Sequence, residues 1–69
     1  MKITLNGEMH TPTAPADAPL TLERLLTDCG FTGTLATALN ESFVPADARA
    51  ETPVQDGDRV EVLAPMQGG

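Results

Sequence analysis

Cysteine, histidine and basic side chains are scarce in this sequence, and each shortage excludes a class of protein. A single Cys29 cannot close an internal disulfide, and one histidine, His10, without a CxxC pair leaves nothing to hold a structural metal. The fold must rest on packing alone. Four Lys/Arg stand against ten Asp/Glu, a formal charge of −6. Phosphate backbones repel such a surface, so no nucleic-acid partner is expected. No apolar run approaches the roughly 18 residues of a membrane span, and the opening MKITLNGEMH turns polar too soon for a signal peptide. The expectation is a soluble, cytoplasmic protein with no membrane partner.

Catalytic machinery is missing as well. With one histidine in an edge region, no Ser-His-Asp or Cys-His arrangement is expected, and no glycine-rich loop precedes a helix to cradle phosphate. At 69 residues the fold buries only about 60% of the surface of its unfolded chain, which leaves no room for a substrate pocket. The chain reads as a partner of enzymes, not as an enzyme, with no bound cofactor or metal. Asp56-Gly57-Asp58 lacks the rest of a calcium loop and reads as a turn.

What is present is ordinary globular material, 41% hydrophobic and 20% charged. In MKITLN, Met1, Ile3 and Leu5 alternate with Lys2, Thr4 and Asn6, the period of a half-buried strand. Asn6-Gly7 predicts a type I′ hairpin turn, because both central residues of that turn need positive φ. A second strand returns through EMHTPT, where His10 reads as an exposed strand residue. The proline-rich TPTAPADAP that follows reads as an exposed loop.

LTLERLLTDCG is the one clear helix. Thr21 suits the N-cap, Glu23 lies where the helix dipole favours an anion, and Leu20 can staple to Leu25. Leu22, Leu25, Leu26 and Cys29 share a face that should lie on a sheet, and Gly30 is placed to end the helix. Cys29 reads as a small apolar residue of the core or its boundary. A third strand follows in TLATALN, with Leu35, Thr37 and Leu39 on one side, and a short fourth one around Phe43 and Val44 ends at Pro45. ADARAETPVQDGD reads as an acidic connection. In RVEVLA, Val60 and Val62 point inward while Arg59, Glu61 and Leu63 point outward, making the last strand.

These elements make a two-layer α+β domain over residues 1–64, a mixed sheet of four to five strands with one main helix packed on one face. Pattern alone does not order the strands. Beyond Ala64 come Pro65, Met66, Gln67, Gly68 and Gly69, in which proline ends the strand and two glycines loosen the backbone. These five residues read as a flexible tail reaching at most roughly 17 Å. Glycines lack Cβ and can thread a narrow channel in another protein, and the group delivered at the tip is the α-carboxylate of Gly69. A carboxylate is a poor electrophile. Adenylation by ATP on a partner enzyme gives it a leaving group, after which a sulfur, nitrogen or oxygen nucleophile can take the acyl group.

MKITLNGE, ALN, VP and AETPVQDGDRVEVLAPMQGG together resemble the ThiS family, the small sulfur carriers of thiamine biosynthesis. DGDRVE followed by eight residues ending in Gly-Gly is the specific part of the likeness. The resemblance implies a ubiquitin-like β-grasp fold with the first and last strands central and parallel. It implies that a ubiquitin-activating-like enzyme, using ATP and magnesium, adenylates Gly69, and that cysteine-derived sulfur converts it to a thiocarboxylate. Thiazole synthase then receives the sulfur, with Leu63 and Pro65 contacting partners. Arg49 stands where many members of that family carry an aromatic residue. Two readings share the same ending, a molybdopterin-synthase small subunit and a ubiquitin-like protein modifier, and a thiamine role is favoured by VEVLAPMQGG.

Overall fold

Asn6 and Gly7 turn the chain with φ of 51° and 84°, the two left-handed residues that a type I′ hairpin requires. They join strand β1, Ile3–Leu5, to β2, Glu8–His10, with Leu5 facing Glu8 and Ile3 facing His10. The computed structural model describes residues 1–13 and 19–64, so part of the proline-rich loop and the expected tail 65–69 lie outside the described residues. Met1 shares the parity of Ile3 yet is exposed, because β1 begins only at Ile3.

Helix α1, Leu22–Asp28, has only seven residues and is too short to persist by itself. Its ends are well finished. Thr21 Oγ1 accepts from Arg24 N at 3.2 Å. At the other end Gly30, at φ 85°, donates to Thr27 O, and Phe31 N donates to Leu26 O, a complete Schellman pair. Between these caps Leu22, Leu25 and Leu26 are buried, as the apolar stripe predicts, and each fully buried leucine contributes about 1.5–3 kcal/mol of transfer free energy.

Strand β3, Ala36–Leu39, and β4, Ser42–Val44, form a second hairpin around Asn40 and Glu41, both at positive φ. Strand β5, Arg59–Leu63, then inserts between the hairpins, giving the order β2-β1-β5-β3-β4. It runs parallel to β1, with Leu5 beside Val60, and antiparallel to β3, with Thr37 beside Val62. That is the central parallel pair the resemblance implied. Val60 and Val62 face the helix and are buried, whereas Arg59, Glu61 and Leu63 face outward.

The acidic connection contains structure that the sequence pattern hides. A 3₁₀ helix spans Ala46–Glu51, and Val54 beyond it is buried in the core. It has no apolar stripe to announce it. Its order comes from contacts with the other elements: Leu22 N donates to Thr52 O and Val54 N donates to Leu20 O, both at 2.8 Å.

Glu41 pays for its turn position with a φ of 72°, which costs a residue with a Cβ about 1 kcal/mol or more. Its ion pair with Arg59, at 3.7 Å between largely exposed side chains, offsets little of that. Glu41→Gly should therefore raise stability by about 0.5–1 kcal/mol in urea unfolding. A lower midpoint would show that the pair outweighs the backbone strain.

Candidate functional site at the end of the central strand

The register of β5 decides what the open face of the sheet presents. Ala36 lies beside Leu63, Ala38 beside Glu61, and Ala38 beside Phe43, so these five side chains share the outer surface. Two alanines between large neighbours leave a hollow. It measures about 120 Å³ and is lined by Ala36, Thr37, Ala38, Phe43, Glu61 and Leu63. Small-molecule sites occupy about 300–1,000 Å³, so this hollow suits one apolar side chain of a protein partner. Phe43 is 70% and Leu63 68% exposed, together the apolar rim of the hollow.

The hairpin under the hollow is braced from the core side. Thr37 is buried and donates its hydroxyl to Val44 O at 2.7 Å. Arg49, on the 3₁₀ helix, donates through Nε to Thr37 Oγ1 at 3.0 Å and through Nη2 to Leu35 O at 2.6 Å. An aromatic residue at position 49 could not make this fork; here the guanidinium ties the 3₁₀ helix to β3.

Charge on the described surface is dominated by carboxylates. Arg24 is bonded to Asp28 at 3.0 Å, Arg49 is turned onto β3 and Arg59 lies near Glu41. Three of the four basic side chains are therefore engaged within the fold. The outward field is negative, which complements a basic partner surface.

Leu63 is placed outward on the hollow, as its parity predicts, and Ala64 follows it. Pro65, Met66, Gln67, Gly68 and Gly69 lie outside the described residues. The sequence pattern marks Phe43 only as part of a short strand and gives Ala36 and Ala38 no site role. The signal for them is the two-residue Asn40-Glu41 turn, which sets Ala38 against Phe43 on the same face.

One expectation needs correction. His10, expected as an exposed strand residue, is half-buried, with Nε2 at 3.5 Å from Cys29 Sγ. His10 pairs with the core-facing Ile3, so it points toward the helix, where Cys29 ends the apolar stripe. The contact does not make a nucleophile. Burial first, and then the Asp28 carboxylate, push the Cys29 thiol above its ordinary range, the opposite of activation. Among the described residues no group of three or more His, Cys, Asp or Glu side chains could hold a metal, and no helix is long and apolar enough to cross a membrane.

Comparison with known proteins now identifies the architecture. Residues 3–69 match the ThiS family. The chain belongs to that family. The crystal structure of the thiamine biosynthesis protein ThiS from Geobacter metallireducens superposes with a TM-score of 0.78 at 31% identity, covering all of both chains. The solution structure of a thiamine biosynthesis protein from the same organism gives 0.76 at 31% identity, covering all of this chain and 88% of the other. The fold is the ubiquitin-like β-grasp. A thiazole synthase from Paramagnetospirillum magneticum is 34% identical over 70 aligned positions, and this ThiS-family chain spans only 20% of that protein's length.

Arg49→Met should cost about 1–2 kcal/mol, since Thr37 loses a donor and the 3₁₀ helix loses its tie. Leu63→Asp, on the exposed face, should change stability by no more than about 0.5 kcal/mol. Equal losses in chemical denaturation of the two variants would contradict this division between brace and surface.

Proposed function

We propose that this protein is a sulfur carrier of thiamine biosynthesis that works through the carboxylate of Gly69. The observation that carries the reading is the position of Leu63. It ends β5 on the rim of the apolar hollow, so a partner seated there lies at the root of the segment 65–69. Membership of the ThiS family over residues 3–69 supports the same reading.

The chemistry is a two-step exchange at one acyl carbon. A carboxylate oxygen of Gly69 attacks the α-phosphorus of ATP on a ubiquitin-activating-like enzyme, with magnesium, and pyrophosphate leaves. Cysteine-derived sulfur, delivered as hydrosulfide, then attacks the acyl carbon, and AMP departs with the oxygen, leaving a thiocarboxylate. Thiazole synthase takes that sulfur and water returns the carboxylate. The carrier supplies recognition and reach. Its hollow docks each partner together with Pro65, Gln67 precedes the glycines, and Gly68 and Gly69 enter a channel too narrow for side chains. Met66 lies between the docking residues and that glycine end.

The acidic surface agrees with docking on basic surfaces of partner enzymes. The thiazole synthase relative, a fifth of whose length this chain spans, supports that acceptor in particular.

Deleting Gly69, or adding one residue after it, should abolish sulfur transfer while the unfolding transition stays where it is, because the reactive carboxylate moves and no core residue is lost. Leu63→Asp should lower the affinity for the activating enzyme by roughly tenfold or more, the effect of a charge placed in an apolar contact. Sulfur transfer retained by either tail variant would refute the mechanism.

A further inference from the structure

The parallel ladder between β1 and β5 continues past the point where β1 ends. Thr4 N donates to Asp58 O and Asn6 N donates to Val60 O, both at 2.9 Å. The next position along β5 is Val62. By then the backbone of Asn6 has turned into the hairpin at φ 51° and no longer runs beside β5. The Asn6 side chain takes its place: Nδ2 donates to Val62 O at 3.2 Å, and Oδ1 accepts from Val62 N at 2.8 Å. A primary amide carries a donor and an acceptor as a peptide group does, so this side chain serves as one more residue of β1.

The turn itself does not require this. Glycine or aspartate would satisfy the positive φ, and only asparagine offers both partners to Val62. Asn40 does comparable work at the opposite end of β5, accepting from Arg59 N at 2.9 Å and donating to Asp58 Oδ1 at 3.1 Å. The central strand is thus held at each end by the asparagine of a hairpin turn. Only the Asn6 contact lies next to Leu63 and the exit of the chain.

We propose that Asn6 is a positioning residue for the tail: its amide fixes Val62, and with it the end of β5 at Leu63, from which the chain continues toward a docked enzyme. The inference rests on the carrier reading. With the root fixed, a partner docked on the hollow finds the reactive end within a small volume. With the root loose, the docked complex forms as before and the carboxylate reaches the nucleotide less often.

The test uses Asn6→Gly, which keeps the turn and removes both bonds, alongside Asn6→Asp, which keeps only the acceptor, and Asn40→Gly as a control at the far end of β5. Adenylation is followed as pyrophosphate release with the activating enzyme from the same cells, ATP and magnesium, while amide hydrogen exchange reports on Val62. Asn6→Gly should lower kcat about tenfold with KM for the carrier within about twofold, Asn6→Asp should fall between, and Val62 should exchange faster. A purely structural loss behaves differently. Because the carrier is the substrate, a smaller folded fraction raises apparent KM and leaves kcat at saturation unchanged, which is the result expected for Asn40→Gly. An unchanged kcat in Asn6→Gly, or a Val62 amide that exchanges as before, would overturn the positioning role. Absence of turnover with the unmodified protein would instead overturn the carrier reading, and the inference with it.

Discussion

Strand β5 must be hydrogen-bonded on both sides at once, and this constraint organises the domain. One neighbour, β1, comes from the start of the chain, and the other, β3, from its middle. Neither hairpin can stand alone in water, since two short strands bury too little. The fold closes only when the last strand enters between them, and the cost of closing those loops is recovered in one step by two ladders and the burial of Val60 and Val62. Local pieces form cheaply here; the domain depends on a contact between chain segments more than fifty residues apart, such as Asn6 with Val62.

The same strand links stability to function. Its alternation sends valines into the core and Glu61 and Leu63 onto the open face, so the proposed docking residue is held by the register that builds the core. A one-residue slip would bury Leu63 and expose both valines. Residues 65–69 follow this strand in sequence, so the origin of the proposed reactive end lies beside the proposed docking face. The proposed chemistry, one carboxylate presented to successive enzymes, needs such a fixed origin.

Much of this was legible in the residues. Asn6-Gly7, the Leu22, Leu25 and Leu26 stripe, Gly30 and the Val60/Val62 alternation report local geometry, and local geometry is what periodicity encodes. Strand order was not legible from pattern, because pairing between distant segments leaves no period; only the resemblance to a known family supplied it. The 3₁₀ helix Ala46–Glu51 carries no apolar stripe and is held by Arg49 and by the Val54 contact with Leu20. Glu41 at positive φ is an unfavourable choice for its turn, so the second hairpin gave a weaker signal than the first. The hollow depended on knowing that Ala38 faces Phe43, and the approach of His10 to Cys29 on knowing that His10 shares the face of Ile3. Side-chain substitution for backbone, as at Asn6, is invisible until the two strands are seen together.

The most direct measurement is fragmentation mass spectrometry of the C-terminal peptide after incubating the protein with ATP, magnesium, cysteine and an extract of its own cells. Intact mass is insufficient, because exchange of oxygen for sulfur nearly matches methionine oxidation, and Met66 lies in the same peptide. The account predicts sulfur confined to Gly69 and dependent on ATP. A Gly69 that stays unmodified, whether or not lysine conjugates accumulate, would contradict it.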